Sequence, residues 1–136
     1  MRVMLDTNIL ISGMVFIGPE RRLLELLREG HTLLVNDYLL AEAREVLARK
    51  FPGKELVLDQ ILESLAIKML PLPPAGKVRE AAQRLRDPKD AVVVASALAA
   101  CPDIFVSGDK DLHTPEVLAL VQVSTTREAL ALLKKK

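Results

Sequence analysis

The sequence has 136 residues, of which 50% are hydrophobic and 27% are charged, with a formal net charge of +1. This length predicts one domain over residues 1–136, and the hydrophobic fraction excludes a disordered chain. The near-neutral net charge excludes a global field that would attract nucleic acid or membranes, so any electrostatic recognition must be local.

Cysteine usage and hydropathy indicate the compartment. Cys101 is the only cysteine, so no disulfide can form within the chain, which suits a reducing cytoplasm. The first apolar stretch is interrupted by Asp6 and Asn8, and it lacks the basic start and the cleavage site of a signal peptide. No run approaches the roughly 20 apolar residues that a membrane span needs. We therefore expect a cytoplasmic protein with no membrane contact.

The first half of the chain predicts two strands and four helices. Residues 2–5 (RVML) and 32–35 (TLLV) are short apolar runs typical of buried strands. Helical periodicity covers 7–14, 20–29, 38–51 and 54–67, and either Asn36 or Asp37 is suited to cap the third of these helices. The proline-rich stretch MLPLPPAG that follows predicts a connection inside the domain.

The second half predicts two more strands between helices. Helices are predicted over 77–85, 87–100 and 126–135, and strands over 103–107 (DIFVS) and 121–124 (VQVS). The three lysines at 134–136 are predicted to form a solvated terminus. Short apolar strands that alternate with helices indicate an α/β fold whose mostly parallel sheet is covered on both faces.

Acidic residues follow two of the predicted strands directly. Asp6 comes after the first strand, and Asp109 and Asp111 come after the strand at 103–107. Each has an ordinary structural explanation, because Asp is a common helix cap and a common turn residue. However, ligands of open parallel sheets bind beyond the carboxyl ends of the strands. This placement predicts that Asp6 and Asp109 share one cleft.

Four further acids lie on predicted helices. Glu42 is at the edge of the apolar face of its helix, whereas Glu45 points away from that face. In the sequence DPKD, Asp87 is placed as the N-cap and Asp90 three residues later, as in a capping box. One acid would suffice for capping, and the helix that follows is apolar all round. We therefore favour a capping role for Asp87 and a cleft role for Asp90.

If Asp6, Glu42, Asp90 and Asp109 converge, their mutual repulsion needs a countercharge. The sequence contains no matching cluster of Lys or Arg. A hard divalent cation, Mg²⁺ or Mn²⁺, would meet this need through carboxylate oxygens and water. The two histidines and Cys101 do not have the spacing of a zinc site.

Four short motifs in this order resemble the PIN (PilT N-terminal) domain family: MLDTN, the glutamate in LLAEAREVL, DPKDAVVVASALA and SGDKDL. The resemblance covers almost the whole chain. It implies a Rossmann-like three-layer α/β/α fold with a mostly parallel central sheet, and an Mg²⁺- or Mn²⁺-dependent nuclease that acts on single-stranded RNA. Many small prokaryotic (VapC-like) members are toxins that an antitoxin protein inhibits, and many form homodimers.

The resemblance also implies roles for individual residues. The acidic quartet of the family falls on Asp6, Glu42, Asp90 and Asp109, Asp111 matches an additional acid, and Ser107 matches a supporting Ser or Thr. We assign metal binding to Asp6, Asp90, Asp109 and Asp111. Glu42 is either a ligand or the group that orients the attacking water.

Three polar neighbours of these acids are supporting candidates. Asn8 could donate a hydrogen bond that orients Asp6. Lys89 and Lys110 adjoin proposed ligands, so they either contact RNA phosphates or are solvated charges that balance the acids.

Three alternatives remain at this stage. An aspartyl phosphatase with Asp6 as its nucleophile would want a second Asp two residues later, where this chain has Asn8. A PIN-like binding or scaffolding module without activity would have no physical reason to keep a repulsive cluster. A DNA-directed nuclease of the same architecture is not separated from a ribonuclease by the sequence, because that choice depends on contacts to the 2′-hydroxyl.

Overall fold

The computed structural model describes residues 1–134, so the end of the last predicted helix and the lysines at 135 and 136 lie outside the described residues. Four parallel strands form one sheet in the order β3–β2–β1–β4. They are β1 (Arg2–Leu5), β2 (Thr32–Val35), β3 (Ala66–Met69) and β4 (Ile104–Val106). The α-helices are α1 (Thr7–Val15), α2 (Pro19–Leu27), α3 (Asp37–Lys50), α4 (Glu55–Ser64), α5 (Ala75–Ala82), α6 (Ala91–Ala100), α7 (Pro115–Leu118) and α8 (Thr126–Lys134).

Successive side chains of the central strands point into two separate cores. In β1, Val3 and Leu5 pack with the apolar faces of α1 to α4 and α8, whereas Met4 packs with α6 and α7 on the opposite side. The same alternation places Leu34 and Phe105 beside Met4. Because both faces of the sheet are covered, the strands are continuous apolar runs. The predicted three-layer α/β/α fold with a parallel sheet is confirmed.

Two predictions at the edges of the sheet are wrong: the end of the helix over 54–67 and the strand over 121–124. Residues 66–69 form the strand β3, although the helical pattern extends through residue 67; the helix ends at Ser64. As an edge strand, β3 buries little of its surface, so it lacks the apolar signature of the central strands. Conversely, VQVS forms no strand, because only Ser124 pairs with β4, through a bridge to Val106.

The helix predicted over 87–100 begins differently from expectation. Residues Pro88–Asp90 form a 3₁₀ turn, and the α-helix starts at Ala91. Asp87 accepts a hydrogen bond from the Lys89 N–H at 3.0 Å, so it caps the turn and not the α-helix. Asp90 consequently precedes α6 directly. The polar start of an otherwise apolar helix is thereby kept outside the core.

The strand order determines at which end of the sheet the buried polar residues lie. After β1 the chain adds β2 and β3 on one side, and it later adds β4 on the other side of β1. Ligands of open α/β sheets bind at such a reversal, beyond the carboxyl ends of the strands. The residues that follow β1, β2 and β4 are Asp6, Asn36 and Ser107, and all three are buried polar side chains.

Helices α1 and α2 approach each other closely at Gly13. A Cβ atom at this position would lie 2.6 Å from Leu24 Cδ1 and 2.8 Å from the carbonyl oxygen of Glu20. Only a residue without a side chain leaves room for this contact.

None of the α-helices over residues 1–134 combines the length and the apolar character that crossing a bilayer requires.

Candidate active site

Asp6 is fixed at the carboxyl end of β1 by two hydrogen bonds. Its Oδ1 accepts from the Ile9 N–H at 3.0 Å, which is the N-cap interaction of α1, and its Oδ2 accepts from the Ser107 hydroxyl. Asp6 therefore caps α1 with one oxygen and contacts Ser107 with the other. Asn8, by contrast, is exposed and lines a shallow depression together with Asp109 and Lys110.

Ser107 connects the ends of β1 and β4. It is fully buried, and its hydroxyl donates to Asp6 while accepting a hydrogen bond from the Asp109 N–H at 3.0 Å. Asp109 in turn accepts from the Asp111 N–H at 2.9 Å. One buried hydroxyl of Ser107 therefore contacts two of the predicted site residues, and its supporting role in a site stays a prediction.

The two glutamates of α3 have different surroundings and different hydrogen-bond partners. Glu42 is half-buried, its Oε1 accepts from the Thr7 hydroxyl, and Tyr38 Oη lies 3.5 Å from its Oε2. Glu45 is exposed and pairs with Arg49 at 3.0 Å. Thr7 follows Asp6 in the chain, so the first helix turn contacts Glu42 while the preceding residue contacts Ser107.

Asp90 lies in a second group of acids. Carboxylate oxygens of Asp87, Asp90 and Asp111 lie within 4.8 Å of one another. They line a small depression that also includes Arg86 and Thr114. Asp87, which was expected to act as a cap, is therefore also a member of this group.

Electrostatic interactions connect the two groups of acids. The pKa of Asp90 is raised to about 6, chiefly by burial and then by Asp109, Asp87, Asp111 and Glu42. Burial likewise raises the pKa of Asp6, against the lowering effect of its hydrogen bonds from Ser107 and Ile9, and Asp109 and Glu42 raise it further. We call the six residues the acidic cluster: Asp6, Glu42, Asp87, Asp90, Asp109 and Asp111.

The acidic cluster has the donor set of a hard-cation site. Burial is the largest cause of the raised pKa of Asp6 and of Asp90, and the charged groups that raise each pKa further are other carboxylates. Carboxylate oxygens are the ligands that Mg²⁺ and Mn²⁺ prefer. Asp87, Asp90 and Asp111 could therefore hold a divalent ion.

The raised pKa of Asp90 predicts a pH-dependent stability of the metal-free protein. Between its ordinary pKa of 3.8 and its folded pKa of about 6, the folded state binds more protons than the unfolded chain. The free energy of unfolding therefore falls as the pH rises through this window. Because Asp90 is partly exposed, we expect its share to be about 1 kcal/mol after solvent screening.

This prediction is checked by thermal unfolding in EDTA. We expect Asp90→Asn to be more stable than the parent by about 1 kcal/mol near pH 7.5 and by almost nothing near pH 4. An equal difference at both pH values would show that the substitution acts through packing instead of charge.

Lys89 and Lys110 are both exposed. Lys110 lines the same shallow depression as Asn8, Asp109 and Asp111. Lys89 immediately precedes Asp90 and follows the proline of the 3₁₀ turn. Both cations are therefore available at the rim of the acidic cluster.

Several residues of the site carry no clear signal in the sequence. Thr7 and Tyr38 hydrogen-bond Glu42, and His113 Nε2 lies 2.6 Å from the Ser107 carbonyl oxygen. Thr7 stands inside the MLDTN motif, which is the one indication of its role. Tyr38 is four residues before Glu42, a spacing that places two side chains on one side of a helix.

Comparison with known proteins defines the class. A family model of the PIN domain matches residues 2–111. The fold is similar to that of PAE2754 from Pyrobaculum aerophilum, with a TM-score of 0.70 and 19% identity over 99% of this chain and 96% of that chain. It is also similar to VapBC2 from Rickettsia felis, solved bound to a DNA fragment from their promoter, with a TM-score of 0.65 and 18% identity over 92% of this chain and 98% of that chain. No curated protein sequence matches significantly.

The family match covers most of the chain, and the fold agrees with it. PIN domains are generally nucleases. This protein belongs to the PIN domain family.

Proposed function

We propose that this protein is an endoribonuclease that uses Mg²⁺ or Mn²⁺ to hydrolyse phosphodiester bonds of single-stranded RNA. The observation that carries the proposal is the acidic cluster, whose carboxylates interact at the carboxyl ends of β1 and β4 and at the start of α6. The choice of RNA rests on the resemblance of the four sequence motifs to VapC-like ribonucleases. Membership of the PIN family supports nuclease chemistry.

The residues fit the binding of one or two divalent ions. Asp6, Asp90, Asp109 and Asp111 would be the ligands, and Asp87 joins them because of its distance to Asp90 and Asp111. When bound, a divalent ion supplies a water of lowered pKa and stabilises the negative charge that develops on the phosphate. Ser107 keeps Asp6 and Asp109 in fixed orientation. Lys89 and Lys110 would contact phosphates of the RNA backbone.

Glu42 would accept a hydrogen bond from the attacking water. Hydroxyl groups of Thr7 and Tyr38 contact its two oxygens, one each. A carboxylate oxygen has two lone pairs, so each retains one acceptor position. Orientation by two hydroxyls suits a group that must meet a water at a defined angle.

The proposal is tested on single-stranded RNA and DNA of the same sequence with Mg²⁺, Mn²⁺ or EDTA. We expect RNA to be cut only when metal is present. Cutting of DNA alone would change the substrate but keep the chemistry. If neither is cut and calorimetry detects no metal uptake, the protein is a binding or scaffolding module instead of an enzyme.

The two glutamates of α3 provide a matched pair of variants. Glu42→Gln should lower the cleavage rate by about 10²-fold, because an amide cannot accept the proton of the attacking water. Glu45→Gln changes the same chemical group on the exposed side of the same helix and should keep the parental rate. Equal rates in both variants would indicate a contaminating nuclease or a misassigned glutamate.

We further propose an antitoxin partner, a homodimer and a cytoplasmic location. Similarity to a chain of the VapBC2 complex supports the partner. An apolar groove between α5 and α6, lined by Ala81, Ala95 and Leu98, offers a surface for self-association. The single cysteine, exposed and unpaired with another thiol, suits a reducing compartment. Light scattering measures the mass of the assembly in solution.

A further inference from the structure

We propose that His113 is a positioning residue that holds Asp109 and Asp111 in the geometry needed for metal binding. His113 is the last residue of the 3₁₀ turn Lys110–His113, which starts directly after Asp109 and contains Asp111. Its Nε2 lies 2.6 Å from the carbonyl oxygen of Ser107. Because a carbonyl oxygen can only accept, Nε2 carries the hydrogen and donates it. The inference rests on the proposed function for its biological meaning.

The acceptor of this hydrogen bond is the most constrained residue of the site. Ser107 is fully buried, and its N–H donates to the Ser124 carbonyl at 3.0 Å. Its hydroxyl contacts Asp6 and the Asp109 N–H, as described above. With His113 on its carbonyl, every polar group of Ser107 has a partner. The end of β4 is thus a rigid point to which the following turn can be attached.

The hydrogen bond from His113 closes a loop of seven residues, 107–113. Within this loop, the Asp109 N–H donates to Ser107 Oγ and the Asp111 N–H donates to Asp109 Oδ1. Both predicted ligands therefore lie between the two ends that His113 joins. A closed short loop has fewer accessible conformations than an open one.

Closure matters here because the two acids belong to a repulsive cluster. Asp109 and Asp111 both raise the pKa of Asp90, so the carboxylates of both repel that of Asp90 when no cation is present. An open turn would relax by moving the carboxylates apart. Ligands that are held in place before the ion arrives bind it more tightly, and the groups behind the ligands typically contribute 10- to 100-fold to metal affinity.

His113 contacts the turn from behind and is not itself a ligand in this proposal. It is half-buried and interacts electrostatically with Glu128 near the start of α8. Its ring therefore lies near the start of α8, and it is not among the residues that line the shallow depression with Asn8 and Lys110. This position fits a residue that acts through Ser107 and has no contact with RNA.

The test compares His113→Leu, which keeps most of the bulk, with His113→Gln, whose Nε2 amide can donate from a similar position. The first measurement is amide hydrogen exchange in EDTA, which needs neither metal nor activity. We expect the Asp109 and Asp111 amides to exchange about tenfold faster or more in His113→Leu and at nearly the parental rate in His113→Gln. Unchanged protection in His113→Leu would overturn the proposal.

The second measurement is the Mn²⁺ dissociation constant by calorimetry. We expect it to rise roughly 10- to 100-fold in His113→Leu and to recover in His113→Gln. Equal affinities in all three proteins would overturn the positioning role alone. A parent that binds Mn²⁺ without cutting RNA would overturn the proposed function and leave this test valid. A parent that binds no Mn²⁺ would overturn both.

Discussion

Asp90→Asn is expected to lower metal-dependent RNA cleavage by roughly 10³-fold, the largest loss that we predict for a single substitution. The charge of Asp90 interacts with acids of both groups of the acidic cluster. Asp87 and Asp111 belong to the group that contains Asp90, and Asp109 and Glu42 belong to the group around Asp6. Removing its charge would weaken metal binding throughout the site. A metal ion contributes several kcal/mol of transition-state stabilisation, and about 1.4 kcal/mol corresponds to tenfold in rate.

The rate is measured on single-stranded RNA at saturating and at limiting Mn²⁺. Asp59→Asn is the matched control, since Asp59 on α4 forms an exposed ion pair with Arg44 of α3 at 2.9 Å, and such pairs contribute little to stability. Parental activity in Asp90→Asn would place the reaction elsewhere on the molecule. If high Mn²⁺ restores the variant fully, Asp90 contributes to affinity alone.

Gly13→Ala is expected to destabilise the protein by about 1–3 kcal/mol, the usual cost of overpacking a closely packed interior. The new methyl group would meet Leu24 at 2.6 Å and the backbone of Glu20 at 2.8 Å. The leucine side chain can rotate, but the Glu20 carbonyl belongs to the first turn of α2 and cannot move without shifting that helix. The midpoint of thermal unfolding should fall by roughly 5–10 °C.

Gly76→Ala is the matched control for this prediction. Gly76 is also helical, but a Cβ atom there would meet only the tip of Arg79 at 3.9 Å. An alanine should therefore leave stability unchanged or raise it by about 0.5–1 kcal/mol through its helix propensity. A parental melting temperature in Gly13→Ala would mean that α1 and α2 can separate without cost.

The central strands and the acids that follow them could be predicted because their signals are local. Continuous apolar runs mark β1, β2 and β4, and in a parallel sheet their carboxyl ends meet at one side, which brings Asp6 and Ser107 together. The edge strand β3 could not be predicted in this way. Its side chains remain largely exposed, so its pattern resembles the preceding amphipathic helix.

The contacts that orient the site were harder to predict than its acids. Thr7 and Glu42 are 35 residues apart in sequence, and their contact exists only because α1 packs against α3. Asp87 illustrates a different difficulty, since its carboxylate caps a turn and also lies near that of Asp90. A residue with an adequate local explanation gives no indication of a second role. His113 likewise acts through a backbone carbonyl, which no sequence motif specifies.

The exposed edge strand has a consequence for how copies of this protein can meet. β3 has four residues, three of them with exposed side chains, including Lys68 at its centre. Pro71, Pro73 and Pro74 follow soon after and have no N–H groups to donate to another strand. Short, charged and proline-terminated edges resist the addition of a foreign strand and therefore resist fibril-like aggregation. The β3 edges of two copies would thus not pair into one continuous sheet.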